Sequence, residues 1–263
     1  MRGKILRELG ILVGVFLIIW LIFIFVPLKP APPEEAISLE KEQKIGEILI
    51  EDYLKTVPVV SDSIVVSAVD KIYDRLLAGM DSTDYDYHIF VVRNEEINAF
   101  ASLGGNIVVF TGLLNYADTP EEVAAVLAHE MGHVEKRHVV NKVVKELGVT
   151  LVLSVLSGGD PGFLNQILQQ SVSTVFDRNQ ESEADDFGLE LLEKSQVHPN
   201  AMAVFFRKLR DKYSSSTFET LEMLSTHPNT NKRIKKSLGY KTSEGFKAAP
   251  FEDIDWLLVK EAL

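Results

Sequence analysis

Apolar residues follow two spacings along the chain, one typical of helices and one typical of strands. Positions three and four apart predict helices over 38–54 and 61–80. Runs of β-branched and aromatic residues predict strands over 85–92 and 106–111, with a shorter extended piece at 98–101. The pattern predicts an α+β fold that is mostly helical and has a small antiparallel sheet.

A further helix is predicted from its start signal. The string Thr119-Pro120-Glu121-Glu122 offers a capping threonine, a proline at the first helical position, and a glutamate three residues after the cap that would close a capping box. Apolar residues at helical spacing follow it, namely Val123, Val126, Leu127, Met131 and Val134. The segment 129–133 is therefore expected well inside a helix.

The N-terminus has a different composition. Residues 9–28 are nearly all apolar, and about 20 such residues cross a bilayer as a helix, so one transmembrane helix is predicted. Arg2, Lys4 and Arg7 precede it, which places the N-terminus at 1–8 in the cytoplasm and the body of the protein across the membrane. A cleaved signal peptide is the alternative, but the run exceeds the usual length of about 7 to 15 residues.

The other boundaries follow from changes in composition. A Pro-rich linker is predicted at 29–37, a folded domain at 38–240 and a tail at 241–263 that packs on the domain or contacts a partner. The apolar segment 147–156 is too short to span a bilayer, so it is predicted to be a buried or membrane-facing helix. Glycines end it, and another helix is predicted over 163–176.

Composition narrows the possible functions. With 263 residues, 46% of them hydrophobic, the chain can bury a substantial core. Its formal net charge of −11 argues against binding nucleic acid through general electrostatics. The sequence has no cysteine, so any metal must be held by histidine, aspartate or glutamate.

The strongest chemical signal is the pentapeptide His129-Glu130-Met131-Gly132-His133. Residues four apart on a helix are rotated by about 40°, so both imidazoles project from one face and can hold one ion. Glu130 is then beside the metal, where it can take a proton from water. This is the H-E-x-x-H pattern of zinc hydrolases. The alternative, a helical histidine pair with a structural role, is disfavoured by the helical context.

Catalytic zinc normally has three protein ligands and one position for water. Glu181 and Asp185 are four apart, so on a helix they share a face, and one can bind metal while the other orients a ligating histidine. The alternative is a solvated acidic helix start.

These motifs together resemble the gluzincin metallopeptidase family that includes HtpX, the CAAX prenyl endopeptidases, the mitochondrial inner-membrane quality-control peptidase and BepA. Further matches are Asn98-Ala99-Phe100, Gly104-Gly105, Gly112-Leu113-Leu114, Thr226-His227-Pro228 and Arg233, so the resemblance covers roughly residues 40–240. It implies a zincin-like domain.

The resemblance also implies roles for the residues that match the family's motifs. One Zn²⁺ per chain would be bound by His129, His133 and Glu181, with Glu130 as the general base. Asp185 would support His129 from outside the metal shell. The strand around the match would line the substrate groove with Asn98, Ala99, Phe100 and Ala101.

His227 matches a family histidine near the metal, and two roles follow from the resemblance. It would either stabilise the oxyanion or occupy the open coordination position as an inhibitory switch. Replacing it by alanine separates the two, because loss of a switch raises basal activity and loss of an oxyanion group lowers it.

The function implied is that of a membrane-anchored zinc endopeptidase. Such a protein would act on unfolded or extended polypeptides, in quality control of misfolded or envelope proteins, on the periplasmic side of a bacterial inner membrane. The single apolar run makes compact single-pass members better analogues than the multi-span ones. The alternatives are a membrane-tethered chaperone or holdase, which chelator-sensitive proteolysis would exclude, and a zinc hydrolase of non-peptide substrates.

The remaining histidines are predicted to be structural or surface residues. His138 is nine residues after His129, about 180° around a continuous helix, so it cannot reach the same ion. His88 falls in a predicted strand, and His198 precedes a proline at a helix start.

Overall fold

The computed structural model describes residues 2–25, 37–158, 162–164, 166–167, 175–214, 227 and 230–263. The helices in these ranges are α1 (Arg2–Phe25), α2 (Leu39–Thr56), α3 (Ser63–Ala78), α4 (Thr111–Tyr116), α5 (Pro120–Glu135), α6 (His138–Leu147), α7 (Val149–Ser154), α8 (Arg178–Lys194), α9 (Asn200–Ser214), α10 (Thr230–Gly239) and α11 (Trp256–Glu261). The strands are β1 (His88–Val92), β2 (Ala99–Ala101) and β3 (Asn106–Phe110). The predicted mostly helical α+β fold is confirmed.

Helices α2 and α3 confirm the two predicted before the sheet, and both begin at side-chain caps. The Ser38 hydroxyl accepts a hydrogen bond from the Lys41 amide, and the Asp62 carboxylate accepts from the Ile64 and Val65 amides. Such caps satisfy amides that have no partner inside the helix. Both helices bury their apolar stripes in the core.

The sheet is mixed, and the prediction of an antiparallel sheet was wrong for one pairing. Its order is β1-β3-β2, with β2 antiparallel to β3 but β1 parallel to β3. Strands β2 and β3 form a hairpin through a 3-10 turn at Leu103–Gly105. The chain reverses direction between β1 and β2 and again between β2 and β3, so β1 and β3 run in the same direction. Since β2 occupies one edge of β3, β1 pairs on the other.

Helix α5 lies at the centre of the fold, with nearly every residue from Val123 to Val134 buried. Pro120 occupies its first turn as predicted, but the predicted capping box does not form, because the Thr119 side chain makes no capping hydrogen bond. Glu122 instead accepts from the Asp118 amide at 3.2 Å and from Lys208 Nζ at 2.9 Å. The buried position of Glu122 beside this lysine accounts for the difference.

Helix α8 packs along α5 at small residues. A β-carbon added at Gly132 of α5 would lie 2.8 Å from the Ala184 carbonyl oxygen of α8. A β-carbon added at Gly188 of α8 would lie 3.2 Å from the His129 amide nitrogen. Glycines at these two positions allow the helix backbones to approach closely, which brings the first turn of α8 beside the histidine pair.

Only part of the predicted transmembrane segment at 9–28 lies in the described residues, since α1 ends at Phe25. Apolar side chains on α1 are exposed, among them Leu12 at 69% and Phe16 at 66%. Within the described ranges, no helix combines the length and hydropathy that crossing a bilayer requires. The predicted linker at 29–37 falls outside the described residues except for Ile37.

The apolar segment predicted as one helix at 147–156 is divided by Gly148, whose φ is 85°. Helix α6 ends before this glycine and the short α7 follows it. Val152 and Val155 are buried, so the segment contributes to the core. The predicted helix at 163–176 lies largely outside the described residues.

The segment 241–263 packs on the domain. The indole of Trp256 donates to the Ala117 carbonyl at 2.9 Å, and Arg75 of α3 donates to the Ala249 carbonyl at 2.7 Å. The same guanidinium lies 3.6 Å from the centre of the Phe251 ring, which is buried. This segment therefore covers α3 with apolar side chains.

Candidate metal centre

The histidine pair and Glu130 lie inside α5, as the start signal predicted. The two ring nitrogens His129 Nε2 and His133 Nε2 face each other at 3.1 Å. All three side chains are buried, with 0 to 1% of their surface exposed. The pair therefore presents two imidazole nitrogens to one point in the interior.

Glu181 reaches this point from the first turn of α8. Its Oε1 lies 3.4 Å from His133 Nε2, and its Oε2 lies 3.8 Å from His129 Nε2. The start of α8 is fixed by a capping box, in which Asp177 accepts from the Gln180 amide and the Gln180 side chain accepts from the Asp177 amide. The capped end holds the carboxylate against the histidine pair.

His227 completes the cluster. Its Nδ1 lies 2.8 Å from Glu181 Oε1 and 3.2 Å from His129 Nε2. One donor atom from each of the four side chains falls within 4.8 Å of the others. His227 Nε2 is 3.7 Å from Glu130 Oε1, so its ring lies between the cluster and that carboxylate.

The donor set fits zinc. Three imidazoles and one carboxylate are the nitrogen and oxygen ligands that zinc takes where no thiolate is present. Two buried carboxylate oxygens at the cluster also lack a hydrogen bond among the described residues: Glu130 Oε1, and Glu181 Oε2, which has an ion pair with Arg233 Nη1 at 3.3 Å. A buried acceptor without a donor is costly, and a cation with bound water would satisfy both oxygens.

Burial keeps the paired histidines in the neutral form that binds metal. It lowers the pKa of His129 to about 4 and lowers the pKa of His133 well below the usual value. Burial alone would raise the pKa of Glu181, but His227 and His133 outweigh it and lower that pKa far below its usual range. Glu181 is therefore a carboxylate at any physiological pH.

Glu130 and His227 have raised pKa values, in contrast to the lowered values of His129, His133 and Glu181. Burial raises the pKa of Glu130 to about 7, against the lowering effect of His227. Burial would lower the pKa of His227, but the Glu181 carboxylate outweighs it and raises the value. A carboxyl group with a pKa near neutrality is suited to accepting and returning a proton.

Asp185 lies one turn beyond Glu181 and contacts the other nitrogen of His129, with Oδ1 at 3.1 Å from Nδ1. Arg233 of α10 holds this carboxylate, because its Nε donates to both Asp185 oxygens at 2.9 and 3.2 Å. The guanidinium stacks on Phe206 at 3.8 Å. Sequence reasoning matched Arg233 to the family without a role, and the structure places it behind Asp185.

His138 is not one of the four donors, as predicted, but the predicted position on the opposite side of a continuous helix was wrong. Helix α5 ends at Glu135, Arg137 adopts a left-handed conformation with φ of 55°, and α6 begins at His138. The break brings the His138 ring to the side of His133 that faces away from the cluster, where its Nδ1 lies 3.0 Å from His133 Nδ1. The 180° estimate failed because the helix is not continuous.

Phe176 is a second residue that sequence reasoning missed. Its ring stacks on His133 with centroids 3.7 Å apart and planes inclined by 22°, and it is buried. It precedes the cap of α8, and its position in the sequence gave no signal of this contact. His88 and His198 are not part of the cluster, as predicted: His88 is half-exposed on β1, and His198 accepts from the Asn200 amide.

The predicted substrate strand lies beside Glu130. The Ala101 amide of β2 donates to Glu130 Oε2 at 2.9 Å. The Asn98 carbonyl and the Ser102 amide bond to β3, so by alternation the main-chain groups of Ala99 and Ala101 face away from β3. Residues 98–101 are all buried, so this edge of the sheet is covered in the structure.

Comparison with known proteins agrees with this geometry. The sequence profile of Peptidase family M48 matches residues 66–240. The chain is 31% identical over 215 residues to the beta-barrel assembly-enhancing protease of Escherichia coli K12, covering 75% of this chain and 43% of that protein. It is 32% identical over 174 residues to the mitochondrial metalloendopeptidase OMA1 of Schizosaccharomyces pombe, covering 64% of this chain and 50% of that protein.

A third relative is the metalloprotease LoiP of Escherichia coli K12, 31% identical over 172 residues, covering 62% of this chain and 65% of LoiP. The chain thus spans less than two thirds of each of these relatives. The family match and the four-donor cluster bear out the predicted class, a zinc metallopeptidase. The chain belongs to peptidase family M48.

Proposed function

We propose that the chain is a membrane-anchored zinc endopeptidase that hydrolyses peptide bonds of unfolded or extended polypeptides. The observation that carries the proposal is the buried group of His129, His133, Glu181 and His227 with Glu130 beside it. The metal ligands in this proposal are His129, His133 and Glu181. Zinc bound there would lower the pKa of its water ligand and polarise the scissile carbonyl.

Glu130 is the general base of the proposed reaction. Its Oε2 is held by the Ala101 amide, whereas its Oε1 has no hydrogen-bond partner in the described part of the chain. Oε1 is therefore the atom that takes the proton from the attacking water and returns it to the leaving amine. The pKa near 7 lets the same carboxyl group do both at neutral pH.

We assign His227 to the inhibitory role of the two that the sequence left open. Its Nδ1 belongs to the four-donor cluster, and a fourth protein ligand leaves no position for water. His227→Ala is then expected to raise basal cleavage and to weaken zinc binding. A fall in cleavage at saturating zinc would instead favour the oxyanion role.

The substrate is proposed to pair with β2. Main-chain groups of Ala99 and Ala101 face the outer edge of this strand, and an extended peptide added there would lie next to Glu130. Such pairing uses backbone atoms and tolerates many side chains. Because β2 is buried, the substrate would have to displace the groups that cover this edge.

Membrane anchoring is proposed chiefly from the sequence. The apolar run at 9–28 follows Arg2, Lys4 and Arg7, which favours a cytoplasmic N-terminus and an extracytoplasmic domain. The exposed apolar side chains of α1 are consistent with a lipid surrounding. With relatives named for β-barrel assembly and for mitochondria, we propose a role in quality control of misfolded or envelope proteins.

Glu130→Gln tests the function. This variant should bind zinc with wild-type stoichiometry and lose cleavage of casein, while Glu51→Gln on the exposed face of α2 should change neither. Cleavage by the Glu130→Gln variant would refute its role as the base. Wild-type protein that binds unfolded chains and does not cut them, with or without zinc, would favour a holdase instead.

A further inference from the structure

The two histidines of α5 contact different kinds of partner on the side away from the cluster. His129 Nδ1 faces the Asp185 carboxylate, which Arg233 holds. His133 Nδ1 faces no carboxylate but the ring of His138, at 3.0 Å. His138 is buried, and its Nε2 lies 3.1 Å from Glu183 Oε2. A chain of contacts therefore runs from His133 through His138 to Glu183.

The chemistry of these nitrogens fixes where each proton lies. His133 Nε2 faces the cluster, and an imidazole that binds metal through Nε2 carries its proton on Nδ1. That proton is donated to His138 Nδ1, which must therefore have a free lone pair. A neutral His138 then has its proton on Nε2, where the Glu183 carboxylate accepts it.

We propose that His138 is a positioning residue for the metal centre: it accepts the Nδ1 proton of His133 and so holds the His133 Nε2 toward the ion. The inference rests on the zinc site of the proposed function. The partner of a metal-binding histidine normally fixes its tautomer and ring orientation, and losing that partner typically weakens metal binding about 10- to 100-fold.

The surroundings of His138 keep its ring in place. The left-handed turn at Arg137 starts α6 at His138, and the Arg137 guanidinium donates to Glu42 at 2.8 Å and to the Ile37 carbonyl at 2.7 Å. The Phe176 ring stacks on His133 and lies 6.1 Å from the ring of His138. With water excluded, the hydrogen bond between the two histidines has no competitor.

A neutral partner also suits the charge of the site. Glu181 and Asp185 are already buried carboxylates, with Glu130 beside them, and Arg233 is the cation that contacts both of the first two. A further carboxylate behind His133 would add a buried negative charge that needs its own cation. The imidazole of His138 orients His133 without that cost.

The test compares His138→Asn with His138→Leu in the full chain. Asparagine can place its Oδ1 near the position of the His138 Nδ1 and keep an acceptor there, whereas leucine cannot. His88→Leu, at a half-exposed histidine on β1, is the control. The readout is the zinc dissociation constant from competition with a chelating dye, together with the stoichiometry of binding.

The His138→Leu variant should bind one zinc per chain about 10- to 100-fold more weakly than wild type, and His138→Asn should recover most of that loss. If His138 had only a structural role, its loss would lower the number of zinc ions bound per chain without changing the zinc dissociation constant. Equal affinity in wild type and His138→Leu, or equal loss in both variants, would overturn the inference. Wild-type protein that binds no zinc would overturn the proposed function and this inference with it.

If the leucine variant does not fold, the tautomer of His138 tests the proposal. It can be measured by nuclear magnetic resonance of isotope-labelled histidine in the wild-type zinc protein. His138 should be the neutral tautomer protonated on Nε2, with its signal assigned by its absence from His138→Asn. A proton on His138 Nδ1 would overturn the proposal.

Discussion

The close contact of α5 and α8 makes Gly132→Ala a sharp test of how the metal centre is held. A β-carbon at this position would lie 2.8 Å from the Ala184 carbonyl oxygen and 2.9 Å from the Ala184 Cα. Both are backbone atoms and cannot rotate away. Ordinary contact begins near 3.4 Å, so the helices would have to separate by about 0.6 Å.

That separation affects the site more than the stability of the fold. Alanine gains about 1 kcal/mol of helix propensity over glycine, while overpacking costs about 1–3 kcal/mol, so the net loss of stability is about 2 kcal/mol at most. Glu181 lies one turn from Ala184 on α8 and moves with it. Misplacement of a catalytic group by about 1 Å can cost roughly 100-fold, so we expect about a tenfold or greater loss of activity.

The assay measures zinc affinity, casein cleavage and thermal unfolding of Gly132→Ala beside Gly239→Ala. Position 239 ends α10, and an added β-carbon there meets nothing within 4 Å, so this control should match wild type in zinc affinity and cleavage. Wild-type zinc affinity and cleavage in Gly132→Ala would refute the reasoning. It would mean that the two helices absorb the methyl group without moving the carboxylate.

Three further predictions follow from other contacts. Burial would raise the pKa of Asp185, but Arg233 and His129 outweigh it and lower that pKa from 3.8 to about 2, so the carboxylate stabilises the fold above about pH 4 and this stabilisation is lost as the pH falls toward 2. Between pH 4 and 2, the unfolding free energy of zinc-free Asp185→Asn, measured by urea denaturation, should therefore fall by about 2 kcal/mol less than that of the wild type. An equal fall in both proteins would contradict this. Phe251→Ala removes a buried ring against Arg75 and should cost about 3 kcal/mol in chemical denaturation, whereas Leu257→Ala, 69% exposed, should cost little. Zinc at about 100 times its dissociation constant should add about 2.7 kcal/mol of stability, and Glu181→Gln should reduce the shift in melting temperature on adding a chelator.

The parts of the site that sequence could predict are those encoded locally. The spacing of His129 and His133 fixes their common face once Pro120 starts the helix, and α8 presents Glu181 in its first turn. The strands of the hairpin are equally local. Each prediction needed only neighbouring residues and the period of one element.

Two of the failures involve contacts between distant segments, whereas the division of the helix predicted at 147–156 by Gly148 is local. Whether β1 pairs antiparallel with β2 or parallel with β3 is decided by tertiary packing, and periodicity does not encode that choice. The break between α5 and α6 occurs at Arg137, where neither glycine nor proline signals it, and Glu42 stabilises it from a position 95 residues away. Without the break, His138 could not have been placed beside His133.

The order of the cluster's members along the chain has a consequence for biosynthesis. The histidine pair emerges from the ribosome first, Glu181 follows about fifty residues later, and Arg233, which holds Asp185 behind His129, follows after about fifty more. Chains are made from the N-terminus, and domains generally fold as units once they are complete. A nascent chain therefore has no finished hydrolytic centre until the segment that carries Arg233 has been made, so the preceding 230 or so residues are synthesised before the centre can cut any backbone.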